Sequence, residues 1–100
     1  MTKIWERYSP KLAEDKFDAI IIGSGMGGLS TAAFLSKAGK KVLVLERHFK
    51  VGGWTHTFQR GKYEWDVGIH YIGAVGRKSA FLRRLFDEVT EERLEWAPMP

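Results

Sequence analysis

The chain contains no cysteine, which excludes disulfide bonds, thiolate metal sites and cysteine nucleophiles. It also lacks long apolar runs. A run such as residues 19–22 is far shorter than the roughly 20 residues that a membrane-spanning helix needs. Residues 1–16 mix charged and apolar side chains and lack the continuous apolar core of a secretory signal peptide. These absences predict a cytoplasmic protein, with attachment to a membrane surface left open.

Charge is not concentrated in long runs of one sign. Sixteen Lys and Arg residues against twelve Asp and Glu residues give a net charge of +4. Because no arginine-rich run or aromatic RNA-reading motif is present, nucleic acid is not predicted as a partner. A solvated surface explains this mild basic excess, and attraction to an anionic membrane or nucleotide is the alternative. A length of 100 residues with 44% hydrophobic content indicates at most one globular domain with a modest core.

Residues 17–46 have the pattern of a strand, a glycine turn, a helix and a second strand. Residues 17–22 are almost wholly apolar and rich in isoleucine, as in a strand buried on both faces of a parallel sheet. Helical character runs over residues 26–38 and stops at Gly39, and residues 42–45 resemble a second buried strand. These lengths predict a right-handed crossover unit with parallel strands, and hence the α/β class.

Three glycines at the turn have the spacing that a bound pyrophosphate needs. Gly23 permits a tight turn, Gly25 lets the backbone approach a diphosphate, and Gly28 allows close packing of helix on strand. The free N–H groups and positive dipole end of the helix would then face the phosphates. Glu46 lies 18 residues after Gly28, near the spacing at which a carboxylate accepts hydrogen bonds from an adenosine ribose. Because an acid repels a 2′-phosphate, this site is not expected to hold NADP.

The segment after Glu46 departs from a plain NAD-binding domain. Residues 63–71 alternate apolar or aromatic side chains with polar or small ones, which predicts a half-buried strand. Residues 54–59 precede it across a turn at residues 60–62, so we expect the two segments to pair as a hairpin. A plain crossover domain would normally return to a second helix here.

The N-terminal extension carries apolar residues at helical spacing. Ile4, Trp5, Tyr8 and Leu12 would form one stripe of a short helix that Pro10 interrupts. We interpret this stripe as an arm folded against its own protein. Contact of Trp5 with a membrane or a partner is the alternative.

The C-terminal part predicts one more helix and the start of a strand. Residues 79–89 have one apolar face with a basic rim, and residues 93–96 would begin the strand. Core packing of the helix is favoured over peripheral contact with a membrane.

Three blocks within residues 17–73 stand out as sequence strings: GSGMGGLSTAAFLSKAGKKVLVLE, KVGGWTHTF and YEWDVGIHYIG. Together they resemble the FAD-dependent oxidoreductases that include phytoene desaturases, carotenoid isomerases and retinol saturases. Many flavoproteins share the first block, whereas the second and third are specific to this group. Phytoene desaturases usually carry proline just after the glycine that matches Gly68, and this chain has Ile69-His70-Tyr71 instead. The string GIHYIG looks more like the retinol saturase branch, which favours saturation of a polyene over desaturation.

The resemblance implies FAD as the cofactor and a lipophilic polyene or isoprenoid substrate, with NAD or NADP as a candidate second electron carrier. In this family the glycine pair that matches Gly52-Gly53 lies along the FAD diphosphate and ribityl chain. The acidic residue that matches Glu46 holds the adenosine ribose, and the backbone that matches residues 66–68 approaches the flavin. The implied cofactor-binding residues are Gly23, Ser24, Gly25, Met26, Gly27, Gly28, Glu46, Arg47, Gly52, Gly53, Trp54, Thr55, Asp66, Gly68, Ile69 and His70.

Family members are several times longer than this chain, so the resemblance implies the N-terminal part of a larger enzyme, inactive by itself. The expected organisation is an extension over residues 1–16, a Rossmann-like FAD-binding segment over 17–75, and a helix that begins the substrate-side segment over 76–100. The predicted elements also indicate an incomplete domain, because two parallel strands and one crossover helix leave sheet edges and apolar faces uncovered. We therefore expect a βαβ unit followed by a hairpin and a helix, as an incomplete domain.

No residue is assigned as a catalytic acid, base or nucleophile, because the flavin of such enzymes carries the redox chemistry. His48, His56 and His70 lack ligand spacing, so no metal site is predicted. Two other classes of function stay open. A NAD-linked dehydrogenase is disfavoured by the hairpin and by Gly52-Gly53, and a non-catalytic dinucleotide-binding module is the third reading.

Overall fold

The computed structural model describes residues 5–68 and 71–99, which form two small sheets and two α-helices. The elements are a 3₁₀ helix at Pro10–Glu14, strand β1 (Ala19–Ile22), helix α1 (Met26–Lys37), strand β2 (Val42–Leu45), a 3₁₀ turn at Gly53–Thr55, strands β3 (Thr57–Arg60) and β4 (Tyr63–Asp66), and helix α2 (Phe81–Thr90). The predicted order of a βαβ unit, a hairpin and a helix is confirmed.

Strands β1 and β2 lie side by side and parallel, joined by α1. Ala19 pairs with Val42, and Ile22 pairs with Leu45. The N–H of Gly23 continues the ladder by donating to the Leu45 carbonyl at 2.7 Å. The glycine turn therefore begins where the sheet ends, as the crossover pattern predicts.

Close packing of α1 on β1 depends on Gly28. A Cβ at this position would lie far inside van der Waals distance of the Gly23 carbonyl oxygen, and 3.3 Å from Cγ2 of Ile21. The packing role predicted for Gly28 is therefore confirmed. At the other end the chain leaves the helix through Gly39, with φ of +81°, a conformation that favours glycine.

The parallel strands are less buried than the sequence predicts. Ile20 and Ile22 of β1 are 59% and 87% exposed, and β2 is only partly buried. The prediction of strands buried on both faces is wrong for the described residues, because α1 covers one face of the sheet and no described element covers the other. Val75, at 7% exposure, is the one buried large apolar side chain in residues 5–68 and 71–99.

Strands β3 and β4 form the predicted antiparallel hairpin, with Thr57 opposite Asp66 and Arg60 opposite Tyr63. Both strands are shorter than predicted. The first begins at Thr57 because residues 53–55 form a 3₁₀ turn, and the second ends at Asp66, before Gly68 turns with φ of +73°. Of the predicted strand continuation to residue 71, Ile69 and His70 lie outside the described residues.

The prediction that the second hairpin strand is half-buried is also wrong for the described residues. Tyr63 and Trp65 are 59% and 54% exposed, and all four residues of β4 are open to solvent. Alternation places the two aromatic rings on one face, but no described part of the chain covers that face.

The described part of the N-terminal segment, residues 5–16, contains one 3₁₀ helix, at Pro10–Glu14. Pro10 begins this helix, where its missing N–H is not needed, and does not interrupt a longer one as the sequence pattern predicts. Trp5, Tyr8 and Leu12 are exposed. Ile4, the first member of the predicted stripe, lies outside the described residues.

Helix α2 lies close to its predicted position and is tied to the loop before it. The Arg83 guanidinium contacts both carboxylate oxygens of Asp87 at 3.1 Å and donates to the Val75 carbonyl at 3.0 Å. The strand predicted at residues 93–96 does not form. Instead, the Trp96 ring packs edge-on against Phe86 with 5.2 Å between ring centroids, so this segment packs against α2.

None of the helices in the described residues is both long enough and apolar enough to cross a bilayer.

Candidate dinucleotide-binding site

The site is centred on the turn between β1 and α1. Gly23 adopts φ of +102° there, which confirms its predicted role in the tight turn. Gly25 precedes α1 as its N-cap residue, with Met26 and Gly27 following in the first turn of the helix. The first N–H groups of an α-helix have no acceptor within the helix, so this end of α1 can bind an anion.

The second glycine pair packs directly on this turn. The N–H of Gly52 donates to the Ser24 carbonyl at 3.0 Å and contacts the Ser24 hydroxyl at 3.2 Å. A Cβ at Gly53 would lie 3.1 Å from the Gly25 Cα. Gly52 and Gly53 both have positive φ, of +109° and +60°. Two glycine segments that are more than twenty residues apart in sequence therefore form one surface.

Gly68, from the sequence string YEWDVGIHYIG, contacts this surface through Trp54. A Cβ at Gly68 would lie 3.0 Å from the Trp54 carbonyl oxygen. The Val67 N–H donates to the His56 carbonyl at 3.0 Å, and the Thr55 hydroxyl donates to the Gly52 carbonyl at 2.6 Å. The glycine turn, the Gly52-Gly53 pair and Gly68 therefore form a continuous chain of contacts.

Glu46 closes the site from the end of β2. One carboxylate oxygen, Oε2, accepts hydrogen bonds from the Ser24 N–H at 2.8 Å and from the Ser24 hydroxyl at 2.5 Å. The other, Oε1, accepts from the His48 N–H at 2.9 Å. The hydrogen bond from His48, followed by those from Ser24, lowers the pKa of Glu46 from 4.5 to about 2. Glu46 is therefore a fixed anion at neutral pH.

Sequence reasoning missed the His48 backbone in this site. Its N–H is supplied by position in the chain, two residues after Glu46, and not by the histidine side chain. The imidazole instead stacks on Phe49 with 4.3 Å between ring centroids. Because any residue except proline could supply this N–H, the identity of residue 48 does not reveal its role. The only signal in the sequence is an acid followed by a loop.

We expect Glu46 to stay ionised when the pH falls below 4.5. Its folded-state pKa is about 2, so the stabilisation from its hydrogen bonds is complete above 4.5 and is lost as the pH falls from 4.5 through 2. Carboxyl ¹³C NMR of the folded protein measures this directly, with Glu46→Gln identifying the resonance. A titration midpoint near 4.5 would show that the Ser24 and His48 hydrogen bonds do not hold the carboxylate.

The remaining candidate residues lie around this centre with different degrees of exposure. Trp54 is 79% exposed, the Arg47 side chain is exposed, and Asp66 ends β4 beside the turn at Gly68. Ile69 and His70, which the resemblance places near the flavin, lie outside the described residues. No group of three or more His, Cys, Asp or Glu side chains in the described parts of the chain could hold a metal ion.

A dinucleotide fits the residues that are present. A Cβ at Gly25 would meet no atom within 4 Å, so the surface in front of the turn is open to a phosphate group. The helix start supplies N–H donors beside it, and Glu46 supplies a carboxylate acceptor at the neighbouring strand end. N–H donors and a carboxylate acceptor, the groups that suit a dinucleotide, therefore lie at adjacent ends of two parallel strands.

Residues 21–89 match the family model described as an NAD(P)-binding Rossmann-like domain. The chain belongs to this family. An NAD(P)-binding Rossmann-like domain binds a dinucleotide cofactor, which agrees with the glycine turn and the acidic strand end described above.

Curated relatives place this Rossmann-like domain among longer proteins. It is 51% identical over 94 residues to the all-trans-retinol 13,14-reductase of Rattus norvegicus, covering 94% of this chain and 15% of that protein. It is 39% identical over 92 residues to the inactive all-trans-retinol 13,14-reductase of Danio rerio, covering 92% of this chain and 15% of that protein. It is 48% identical over 54 residues to the chloroplastic prolycopene isomerase 2 of an Oncidium hybrid cultivar, covering 54% of this chain and 9% of that protein. The resemblance to the retinol saturase and carotenoid isomerase group is confirmed.

Proposed function

We propose that this Rossmann-like domain is the FAD-binding part of a flavin-dependent oxidoreductase that acts on a polyene or isoprenoid lipid. One observation carries the proposal: Gly52-Gly53 packs on the Ser24-Gly25 turn and widens a simple pyrophosphate turn into a longer surface. A surface with two glycine segments suits an extended dinucleotide whose backbone must be approached along its length. The segments 1–16, 17–75 and 76–100 keep their proposed roles as extension, cofactor-binding segment and start of the substrate-side segment.

Different groups of residues have different proposed roles in cofactor binding. Gly23 to Gly28 and the start of α1 bind the diphosphate, because N–H groups and the positive dipole end of the helix attract anions. Glu46 accepts from the adenosine ribose, and Gly52-Gly53 lies along the diphosphate. In this proposal the backbone of residues 66–68 approaches the flavin, and Ile69 and His70 stay candidates from the resemblance alone. When bound, the flavin supplies hydride transfer to or from a conjugated chain.

The substrate class follows from the relatives. Their names concern all-trans-retinol and prolycopene, both lipophilic polyenes. The match to the reductase extends over 94% of this chain, against 54% for the isomerase, which favours saturation of a double bond. A second electron carrier, NAD or NADP, would bind elsewhere, because the proposed FAD occupies this turn. The proposed location is the cytoplasm with peripheral contact with a membrane, where a lipophilic substrate dissolves.

A non-catalytic dinucleotide-binding protein is the second candidate. The observation that favours it is the 39% identity to a relative that is named as inactive. A flavoprotein can keep its cofactor site while losing its reaction, so cofactor binding and turnover have to be measured separately.

The test is the colour and cofactor content of the intact protein after purification. We expect a yellow protein with flavin absorption bands that releases FAD on denaturation, at about one FAD per chain. A colourless protein that binds only NAD would contradict the proposal and support a NAD-linked dehydrogenase. A yellow protein that neither saturates nor isomerises retinol or carotenoid substrates would support the non-catalytic candidate.

A further inference from the structure

Arg83 connects helix α2 to the loop that precedes it. Its Nε lies 3.1 Å from both carboxylate oxygens of Asp87, one helical turn later, and its Nη1 donates to the Val75 carbonyl at 3.0 Å. The side chains of Arg83 and Asp87 are only 17% and 16% exposed. Those of Lys37 and Glu88, which pair between α1 and α2, are 36% and 61% exposed. The Arg83 side chain is therefore packed in place, with one nitrogen directed to its own helix and another to the loop.

The ion pair within α2 does not explain why so little of it is exposed. Charged pairs one turn apart on a helix contribute little to stability, and removing charges from water is costly. The hydrogen bond to the loop is different, because it satisfies the carbonyl of Val75, a residue that is 7% exposed. The residue before it, Ala74, adopts φ of +60°, a left-handed conformation that is unfavourable for alanine. Such a conformation persists where neighbouring groups hold it, and the Arg83 guanidinium binds the chain at the very next residue.

The loop that Arg83 holds leads back to the candidate site. Val75 lies seven residues after Gly68, and Gly68 packs so closely on Trp54 that a Cβ would lie 3.0 Å from the tryptophan carbonyl oxygen. The Val67 N–H donates to the His56 carbonyl at 3.0 Å. The chain is therefore attached to the site at residues 67–68 and to α2 at residue 75.

Helix α2 is itself attached to the helix that begins at the glycine turn. Lys37, in the last turn of α1, donates to the carbonyl of Glu88 and contacts its carboxylate at 3.1 Å. At the other end of α1, Met26 lines an apolar cavity together with Leu82 and Phe86 of α2. The loop before α2 is therefore positioned relative to the dinucleotide-binding unit, and Arg83 makes the connection.

We propose that Arg83 is a positioning residue for the flavin half of the cofactor, which acts by holding the Val75 carbonyl and thereby the chain that leads back to residues 66–68. This inference rests on the proposed FAD-binding function, in which the backbone of residues 66–68 approaches the flavin. The adenosine and diphosphate groups are proposed to bind at other residues, in the turn between β1 and α1 and at Glu46. Loss of the hydrogen bond from Arg83 to Val75 should therefore weaken binding of the flavin half and spare the adenosine half.

Two substitutions separate the two contacts of the guanidinium. In Arg83→Gln, the glutamine Nε2 is the same number of bonds from the backbone as the arginine Nε, so it can still donate to Asp87, but no atom beyond it reaches Val75. Glutamine is also a good helix former, so α2 is retained. Asp87→Asn is the reciprocal change, because it removes the charge of the carboxylate and leaves the hydrogen bond between Arg83 and Val75 in place.

The experiment measures the affinities of FAD and of ADP for the cofactor-free form of the intact protein. ADP carries the adenosine and the diphosphate of FAD but lacks the flavin, so the ratio of the two affinities reports on the flavin half alone. In Arg83→Gln we expect FAD to bind about tenfold more weakly than to the wild type, as for one or two lost hydrogen bonds, and ADP to bind within about twofold of the wild type. Asp87→Asn should keep the wild-type ratio, and so should Arg84→Gln, which changes an exposed arginine next to Arg83.

A role of Arg83 in stability alone predicts a different result, because a weakened fold would reduce the binding of FAD and of ADP together. That result, an unchanged ratio in Arg83→Gln, or an equal loss in Asp87→Asn would overturn the inference while leaving the FAD proposal intact. If Arg83→Gln does not fold, Arg83→Lys replaces it. The one lysine nitrogen cannot occupy the positions of both Nε and Nη1, so we expect a loss of about threefold that is confined to FAD, and the absence of that loss would overturn the inference. If the wild type binds no FAD, the proposed function fails and the inference fails with it.

Discussion

Gly25→Val should abolish flavin retention in the intact protein while leaving it folded. Gly25 has φ of −70° and extended ψ, a conformation that valine adopts without strain, and a Cβ there meets no protein atom within 4 Å. The branched side chain would instead occupy the space in front of the turn, where the diphosphate is proposed to lie. The loss of a helix N-cap glycine costs about 1 kcal/mol of stability, which is small beside the loss of every contact between the turn and the phosphates.

The measurement is flavin absorbance per chain after purification and after incubation with excess FAD. Gly76→Val is the matched control, because a Cβ at Gly76 also meets no atom within 4 Å and this position lies outside the site. Glu46→Ala should be intermediate, with affinity reduced roughly tenfold to a hundredfold for lost hydrogen bonds to a charged group. Equal flavin content in Gly25→Val and the wild type would show that the diphosphate does not lie at this turn.

The part of the fold that could be predicted from the sequence is the part that short-range geometry determines. The turn at Gly23 requires a positive φ, and the contact at Gly28 requires the absence of a side chain. The spacing of the glycines in the sequence therefore predicts both features. The parallel register follows because a helix of this length returns the chain to the neighbouring strand position. The hairpin likewise follows from alternation and a turn at Gly61.

Burial and long-range hydrogen bonds could not be predicted in the same way. The apolar residues Ile22 and Trp65 indicate faces that favour burial, but whether a face is covered depends on a second layer that periodicity does not reveal. The Glu46 bond to Ser24 joins residues 22 apart in sequence, and spacing singles out the acid but not its hydrogen bonds to the buried serine. The prediction of a strand at residues 93–96 is wrong because the sequence pattern does not distinguish pairing in a sheet from packing of an aromatic side chain on α2.

Gly28→Ala should be the most destabilising substitution of a single glycine by alanine in the turn. The added methyl group would collide with the Gly23 carbonyl oxygen and stand 3.2 Å from its carbon. Both atoms belong to the backbone, so no change of side-chain rotamer can relieve the contact, and α1 would have to move away from β1. Overpacking of this kind costs about 1–3 kcal/mol, and a backbone neighbour places the expected loss of unfolding free energy near the upper end.

Gly27→Ala supplies the matched comparison, because Gly27 is the adjacent helical residue and a Cβ there meets nothing within 4 Å. Alanine at an open helical position should be neutral or stabilise the protein by about 0.5–1 kcal/mol. Urea unfolding of the intact protein in its cofactor-free form measures both variants without a contribution from ligand binding. Helix propensity alone would make both variants more stable than the wild type. A loss of unfolding free energy in Gly28→Ala but not in Gly27→Ala therefore has to come from another cause. Only the approach of α1 to β1 at Gly28 can make one substitution costly and its neighbour harmless, and equal midpoints for the two variants would mean that the helix does not lie this close to the strand.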